Sequence, residues 1–267
     1  MSDSKTQEAW ASGASYDRYV GRWSRLVARV FLDSLAIPPD RRWLDVGCGT
    51  GALSQIILAM TAPSVVKGID RSEGYIAFAR QHVADARASF EVADAQDLLV
   101  ESATYDAAVS GLVLNFVPEP QRMVAEMARA VRQNGIVALY VWDYADKMEL
   151  MRYFWDAAVA LNPSAHPLDE GVRFPICKPE PLAALFRDAG LKNVETWAID
   201  VPTDFLDFDD YWLPFLGGQG PAPGYAMSLN EADRTTLRER IRAALPVHSD
   251  GSTHLIARAW AVRGWRA

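Results

Sequence analysis

Short apolar runs alternate with amphipathic stretches through the first half of the chain. Arg41-Arg42-Trp43-Leu44-Asp45-Val46 leads into the glycine-rich turn Gly47-Cys48-Gly49-Thr50-Gly51. Val65–Asp70, Ala88–Asp94, Tyr105–Ser110 and Ile136–Trp142 are further apolar runs with polar or turn-forming borders, and they read as strands. Ile69, Phe90 and Val109 fall on their core side. Between them, Arg71 to Arg80 opens a helix with Ser72 as N-cap. Pro118-Glu119-Pro120 leads a helix whose Met123, Val124, Met127, Ala130 and Val131 share one apolar face, and Asn134-Gly135 predicts its C-cap. Strands alternating with helices predict an α/β fold.

The flanks read differently. Glu8 to Leu35 reads as one or two helices, with Tyr16, Tyr19 and Trp23 at helical spacing. After Trp142 the alternation stops. Residues 144–175 hold Met148, Met151 and Tyr153-Phe154-Trp155. Pro179 to Gly190 reads as a helix and Val194–Val201 as a strand. Residues 202–250 hold Phe208, Tyr211, Trp212 and Phe215, a break at Gly217 to Gly224, and a charged helix from Asn230 to Leu245. Thr253–Val262 reads as a last strand. The expected organisation is an N-terminal helical lid (1–35), a core (36–143), a cap insertion (144–175), a core helix and strand (176–201), a second cap insertion (202–250) and a final core strand (251–267).

The turn carries the chemistry. Its glycines follow G-x-G-x-G, whereas a dinucleotide site uses G-x-G-x-x-G with a pyrophosphate on the helix N-terminus. Asp45 stands two residues before the first glycine, where a carboxylate repels a pyrophosphate and suits a cationic group. Asp70 ends the second strand, about twenty residues past the turn, the spacing of an acidic ribose ligand. Asp94 ends the third. Open α/β sheets bind ligands at these strand ends. A lone Asp there is ordinarily a cap or a solvated turn; three in register with the turn point to a site.

These motifs resemble motif I and the following acidic positions of the class I S-adenosylmethionine-dependent methyltransferases. The resemblance covers 36–143 with specific motifs, and 176–201 and 252–264 by general pattern. It implies a Rossmann-like, doubly wound, seven-stranded and mostly parallel sheet with helical cap insertions. It also implies S-adenosyl-L-methionine as cofactor, held by Tyr19, Asp45, Gly47, Cys48, Gly49, Asp70, Arg71, Asp94, Ala95 and Ser110. In that family the loop after the fourth strand lies beside the transferred methyl, so Ser110 to Asn115 are active-site candidates, with Leu112, Val113 and Leu114 assigned to packing. Substrate candidates are Tyr16, Arg22, Trp23, Asn115, Trp142 and Tyr144. No motif marks a catalytic residue; Tyr144, Asp143, Asn115 and His166 are the candidates. Methyl transfer needs a protein base only when the acceptor must lose a proton.

Composition narrows the acceptor. The net charge is −7 and no basic tract occurs, which disfavours nucleic acid. No apolar run reaches membrane-spanning length and the N-terminus is polar, so a soluble, cytoplasmic protein is expected. Cys48 and Cys177 make no disulfide framework; Cys48 fills the small-residue position of the turn. His82, His166, His248 and His254 show no metal-ligand spacing. A small-molecule acceptor is expected, with specificity in the two insertions. Their aromatic residues read either as the core of a helical cap or as walls of a pocket, and Arg22, Arg152 and Arg173 are the candidates for a bidentate carboxylate contact. A nicotinamide-dependent oxidoreductase and a non-catalytic cofactor-binding relative are the alternative readings.

Overall fold

The computed structural model describes residues 21–217 and 220–267. Tyr16 and Tyr19 lie outside the described residues. In chain order the elements are α1 (Arg22–Leu35), β1 (Arg42–Val46), α2 (Ala52–Met60), β2 (Val65–Asp70), α3 (Glu73–His82), β3 (Ala88–Val92), β4 (Tyr105–Gly111), α4 (Pro120–Ala130), β5 (Val131–Trp142), α5 (Glu149–Leu161), α6 (Glu170–Arg173), α7 (Pro179–Asp188), β6 (Lys192–Phe205), α8 (Phe208–Trp212), α9 (Pro221–Ser228), α10 (Glu231–Ala244) and β7 (Thr253–Trp265). The strands form one seven-stranded sheet in the order β3-β2-β1-β4-β5-β7-β6. Strands β1 to β5 pair in parallel, and β7 runs antiparallel to β5. This is the α/β fold that the strand–helix alternation predicts and the mostly parallel Rossmann-like sheet that the family resemblance implies.

The chain folds as two compact units. The core unit comprises 25–143, 175–200 and 258–267; the cap unit comprises the described residues of 21–24, 144–174 and 201–257. Most of α1 thus lies in the core unit rather than in a separate N-terminal lid. The reason is its apolar stripe: Val27, Ala28, Phe31, Leu32 and Leu35 are buried, and Phe31 packs 4.8 Å from the ring of Tyr140.

The core unit closes around strands buried on both faces, the usual state of a parallel sheet covered by helices. Trp43, Leu44, Val46, Val66, Ala107, Ala108, Val109, Val137 and Leu139 are all fully buried. Ile69 and Phe90 are buried as expected. At the start of the strands, the Asp106 carboxylate accepts from the Arg42 amide at 2.8 Å and from Arg132 Nε at 2.6 Å, tying β1, β4 and β5 together.

Helix α4 ends sooner than its apolar face predicts. Ala130 is its last residue and Val131 already belongs to β5, paired with Tyr105. The residues before Ile136 form an irregularity in the β4–β5 ladder. Asn134, not Gly135, takes the left-handed conformation, at φ 60. Gly135 serves by its lack of a side chain: a Cβ would lie 2.8 Å from the Arg132 carbonyl and 3.0 Å from that of Asp106.

The aromatic residues of the insertions are mainly the cap unit's own core. Phe154 stacks on Phe215 at 4.6 Å and meets Trp155 edge-on at 5.2 Å. Tyr211 lies between Phe205 and Phe215, and its hydroxyl donates to the Leu150 carbonyl at 2.8 Å. Glu170 is buried against the Trp155 indole N–H, and burial pushes its carboxyl up to about 7. Among the described residues, no helix is long and apolar enough to cross a membrane.

One position in β2 tests the packing beneath the turn. A Cβ on Gly68 would lie 2.5 Å from the Phe90 ring and 2.9 Å from Cys48 Sγ. Gly68→Ala is expected to cost about 1–3 kcal/mol through overpacking, read as a lower denaturant midpoint. Phe90→Leu in the same chain is expected to recover part of the loss.

Candidate active site

The site is built at the carboxyl ends of β1, β2, β3 and β4 in the core unit. The turn after β1 is held by one acceptor: the Ile69 carbonyl takes the amides of both Gly47 and Cys48, at 2.7 and 2.9 Å. Gly47 has φ +73, and a Cβ there would lie 2.6 Å from the methyl groups of Val113. Gly49 has φ +53, but nothing lies within 4 Å of its would-be Cβ. The turn thus presents open backbone on the side away from the packing, the property that lets a ligand approach a glycine backbone closely.

Asp45 is fully buried. Its Oδ2 accepts from Ser54 Oγ at 2.7 Å, and its Oδ1 is buried with no partner among the described residues. Burial pushes its carboxyl up to about 7; the Ser54 bond opposes this and the nearby Asp70 charge adds to it. Asp70 joins two loops: Oδ2 accepts from the Gly49 amide at 3.0 Å, and Oδ1 from the Ser72 amide at 2.9 Å. Ser72 caps α3 by accepting from the Tyr75 amide. Tyr75 feels Asp70 as well; burial first, then that charge, pushes its phenol up to about 12.

The loop after β3 is pinned from α4. Arg129 donates to the Leu98 and Val100 carbonyls, both at 2.8 Å, and pairs with Glu126, which accepts from the Leu98 amide. Gln96 Oε1 accepts from the Glu119 amide at 2.9 Å. The Asp94 carboxylate closes its own turn on the Gln96 amide at 2.8 Å, which holds it below the usual carboxylate range. Past β4, Asn115 sits in a single 3₁₀ turn, Leu114–Phe116. Both its Nδ2 and Oδ1 are buried with no partner among the described residues, as is Ser110 Oγ.

Asp45, Gly47, Cys48, Gly49, Asp70, Arg71, Asp94, Ala95, Ser110 and Asn115 therefore share one rim of the core unit. Cys48 is buried beside Gly68, as its packing role predicts. Trp142, expected to wall the substrate, is a fully buried core side chain at the end of β5. Asp143 is buried in the core unit next to Cys177, whose thiol burial pushes upward.

Arg22, Trp23, Tyr144 and His166 belong to the cap unit. Tyr144 is buried against Phe174. His166 borders an open pocket of about 500 Å³ with Arg152, Asp156 and Asp169. Arg152 is tied to Asp169 at 2.7 Å, which engages one end of that carboxylate-binding candidate. Val113 packs under Gly47, as its assignment to packing predicts, and Ser54 is a partner of Asp45 that the motifs do not mark. Ser54 left a trace: it is the one polar residue among the buried positions Leu53, Ser54, Ile56 and Ile57 of α2.

These groups fit S-adenosylmethionine. The bare oxygen of Asp45 and the Asp45–Asp70 pair favour a cationic ligand, as the ammonium and sulfonium of that cofactor provide. A pyrophosphate would meet the same charges as repulsion. The comparisons agree. The model of a family described as "Methyltransferase domain" matches residues 44–139. A ubiquinone biosynthesis O-methyltransferase from Burkholderia pseudomallei is 31% identical over 172 residues, 62% of this chain and 70% of that protein. The chain belongs to the class I S-adenosylmethionine-dependent methyltransferases.

A trans-aconitate 2-methyltransferase from Variovorax paradoxus is 27% identical over 162 residues, and the match spans 60% of each protein. The fold extends further than the sequence likeness. A Haemonchus contortus phosphoethanolamine N-methyltransferase, solved with S-adenosylhomocysteine bound, superposes at a TM-score of 0.58. That match has 14% identity and covers 94% of this chain and 57% of that one. The protein is a methyltransferase that uses S-adenosylmethionine, and the nicotinamide reading is set aside. Among the described residues, no group of three His, Cys, Asp or Glu could hold a metal ion.

Asp45 gives a prediction with a definite sign. Its folded value lies above that of an ordinary carboxyl, so the native state keeps a proton that the unfolded chain releases between about pH 4 and about pH 7. Stability therefore falls as pH rises through that window. Asp45→Asn is expected to flatten part of the fall in thermal melts, with Glu170 supplying the rest. The same variant is expected to bind S-adenosylhomocysteine at least about tenfold more weakly, because the carboxyl that can ionise against a cationic ligand is gone. A melting profile that keeps its full pH dependence in Asp45→Asn would place the titration elsewhere.

Proposed function

We propose that this protein transfers the methyl group to an oxygen of a small-molecule acceptor. The two relatives above support this, since one is named an O-methyltransferase of ubiquinone biosynthesis and the other a methyltransferase of trans-aconitate. The observation that carries the reading is Asn115. Its carboxamide, four residues past the end of β4, offers one acceptor and two donors in a buried position with none of them used among the described residues. A buried carboxamide in that state is built to meet a ligand, because leaving it bare costs about 1–3 kcal/mol for each unsatisfied group.

When bound, S-adenosylmethionine supplies an electrophilic methyl on a sulfonium. The chain's part is orientation and electrostatics. Asp45 faces the positive end, Asp70 is placed to accept from vicinal hydroxyls, and the Asp94–Gln96 loop offers an edge for a flat base. Asn115 orients the acceptor oxygen, its Oδ1 taking a hydroxyl proton as a hydrogen bond or its Nδ2 donating to an anionic oxygen. A carboxamide is no base, so the reading favours an acceptor oxygen that is already anionic or readily ionised. Proximity and alignment then supply much of the rate. The cap unit, which the family motifs do not cover, is where we place acceptor selection.

The test is transfer of a radiolabelled methyl group from S-adenosylmethionine to a panel of small phenols, enols and carboxylic acids, with matched amines and thiols. The label is expected on oxygen. Asn115→Ala is expected to lower kcat by about a hundredfold with little change in cofactor affinity. Label on nitrogen or sulfur alone would contradict the reading, and an unchanged kcat would remove Asn115 from it.

A further inference from the structure

The buried face of the β6–β7 ribbon in the cap unit carries a second set of bare polar atoms. Arg22 Nη1 donates to the two Asp210 oxygens at 3.0 and 3.4 Å. Its guanidinium lies 4.2 Å from the centre of the Trp23 ring and 5.1 Å from that of Phe205. Nε and Nη2, the other edge of the same guanidinium, are buried and have no partner among the described residues; the Trp23 indole Nε1 is in the same state. Trp23 meets Phe205 edge-on at 5.6 Å.

Two hydroxyls join this group. Thr203 lies two residues before Phe205 on β6 and so shares its face. The His254–Asp204 pair at 2.7 Å fixes how β7 lies beside β6. The same antiparallel register joins Arg258 to Asp200 and Arg263 to Glu195. Continued one residue beyond His254, it sets Thr253 across from Phe205. Thr203 and Thr253 are 0% and 1% exposed, and neither Oγ1 has a partner among the described residues.

Five buried polar atoms, none with a partner among the described residues, thus lie on the neighbours of Phe205 and on its face of the ribbon. Three are N–H groups and two are hydroxyls that can donate. The nearby acceptor, Asp210, is already occupied: it takes Arg22 Nη1 and the Leu206 amide. A guanidinium never sheds its charge, so a buried bare edge is satisfied only by an incoming acceptor. The Nε–Nη2 edge is a planar fork that matches the two oxygens of a carboxylate. Asp210 holds the other end of the guanidinium and two aromatic rings lie beside it, surroundings in which a singly charged carboxylate costs less to desolvate than a doubly charged phosphate.

We propose that Arg22, Trp23, Thr203 and Thr253 form a site in the cap unit that binds a small-molecule carboxylate. Arg22 grips the two oxygens, and Trp23 Nε1 and the threonine hydroxyls complete the donor set. The assignment goes beyond the O-methyltransferase reading above.

The experiment is calorimetric titration of the full chain, loaded with S-adenosylhomocysteine, with citrate, its neutral triamide analogue and inorganic phosphate. Citrate is expected to bind, and the triamide and phosphate to bind much more weakly. Arg22→Gln is expected to weaken citrate at least about tenfold and Thr203→Val, nearly isosteric, about threefold, each with cofactor affinity unchanged. Citrate that fails to bind, that binds no better than phosphate or the triamide, or that binds both variants as it binds the wild type overturns the site. Any of these results, with label on oxygen in the transfer assay, overturns the site and keeps the O-methyltransferase reading. Citrate binding that follows the variants, with label only on nitrogen or sulfur, keeps the site and overturns that reading.

Discussion

A carboxyl group buried beneath a tight backbone turn, and ready to ionise against a cation, governs this molecule. Asp45 lies in the centre of the sheet with one oxygen bonded to Ser54 and the other bare, and Asp70 adds a second carboxylate close enough to raise it. Such a group is costly to bury. The fold tolerates it because the turn above it is open on one side, at Gly49, and because a cationic ligand can stand there. The same carboxyl explains the choice between two cofactors that use similar sheets. A pyrophosphate would be repelled where an ammonium and a sulfonium are welcome.

The rest of the core unit keeps that arrangement in place. The Ile69 carbonyl holds the turn, Asp70 joins it to the start of α3, and Val113 closes the space under Gly47. Arg129 and Gln96 fasten the loop after β3 to α4 and the residue before it. Most of these bonds run from side chain to backbone. That suits a reaction in which the cofactor brings the reactive group and the protein must hold two partners in line. The carboxamide of Asn115 and the donors around Phe205, which have no partner among the described residues, are two places where the chain spends burial on something other than its own stability.

Much of the core was legible in the sequence because its signals are local. Each strand is a short apolar run with a turn at its end, and the acidic residues fall at strand ends whose positions the runs define. Ser72 as a cap, the apolar face of α4 and the buried role of Cys48 all follow from neighbours a few residues away. The end of α4 did not, because β-pairing of Val131 with Tyr105 overrode the helical periodicity and moved the left-handed residue to Asn134. Ser54 escaped for a similar reason, since its value lies in reaching back to Asp45 across the turn. The cap was hardest to read. Its aromatic residues carry no periodic clue to which ones pack together, and the grouping of Arg22, Trp23, Thr203 and Thr253 depends on strand register and on residues nearly two hundred positions apart. Arg22 and Trp23 were visible as candidates; the threonines were not.

The most direct test of the account is a calorimetric comparison of the wild type with Asp70→Ala, each titrated with S-adenosylhomocysteine and with NADH. The account predicts that the wild type binds S-adenosylhomocysteine and ignores NADH. It also predicts that Asp70→Ala, still folded by circular dichroism, loses at least about tenfold in affinity. Binding of NADH, or an affinity for S-adenosylhomocysteine that the substitution leaves untouched, would contradict the placement of the cofactor at these strand ends.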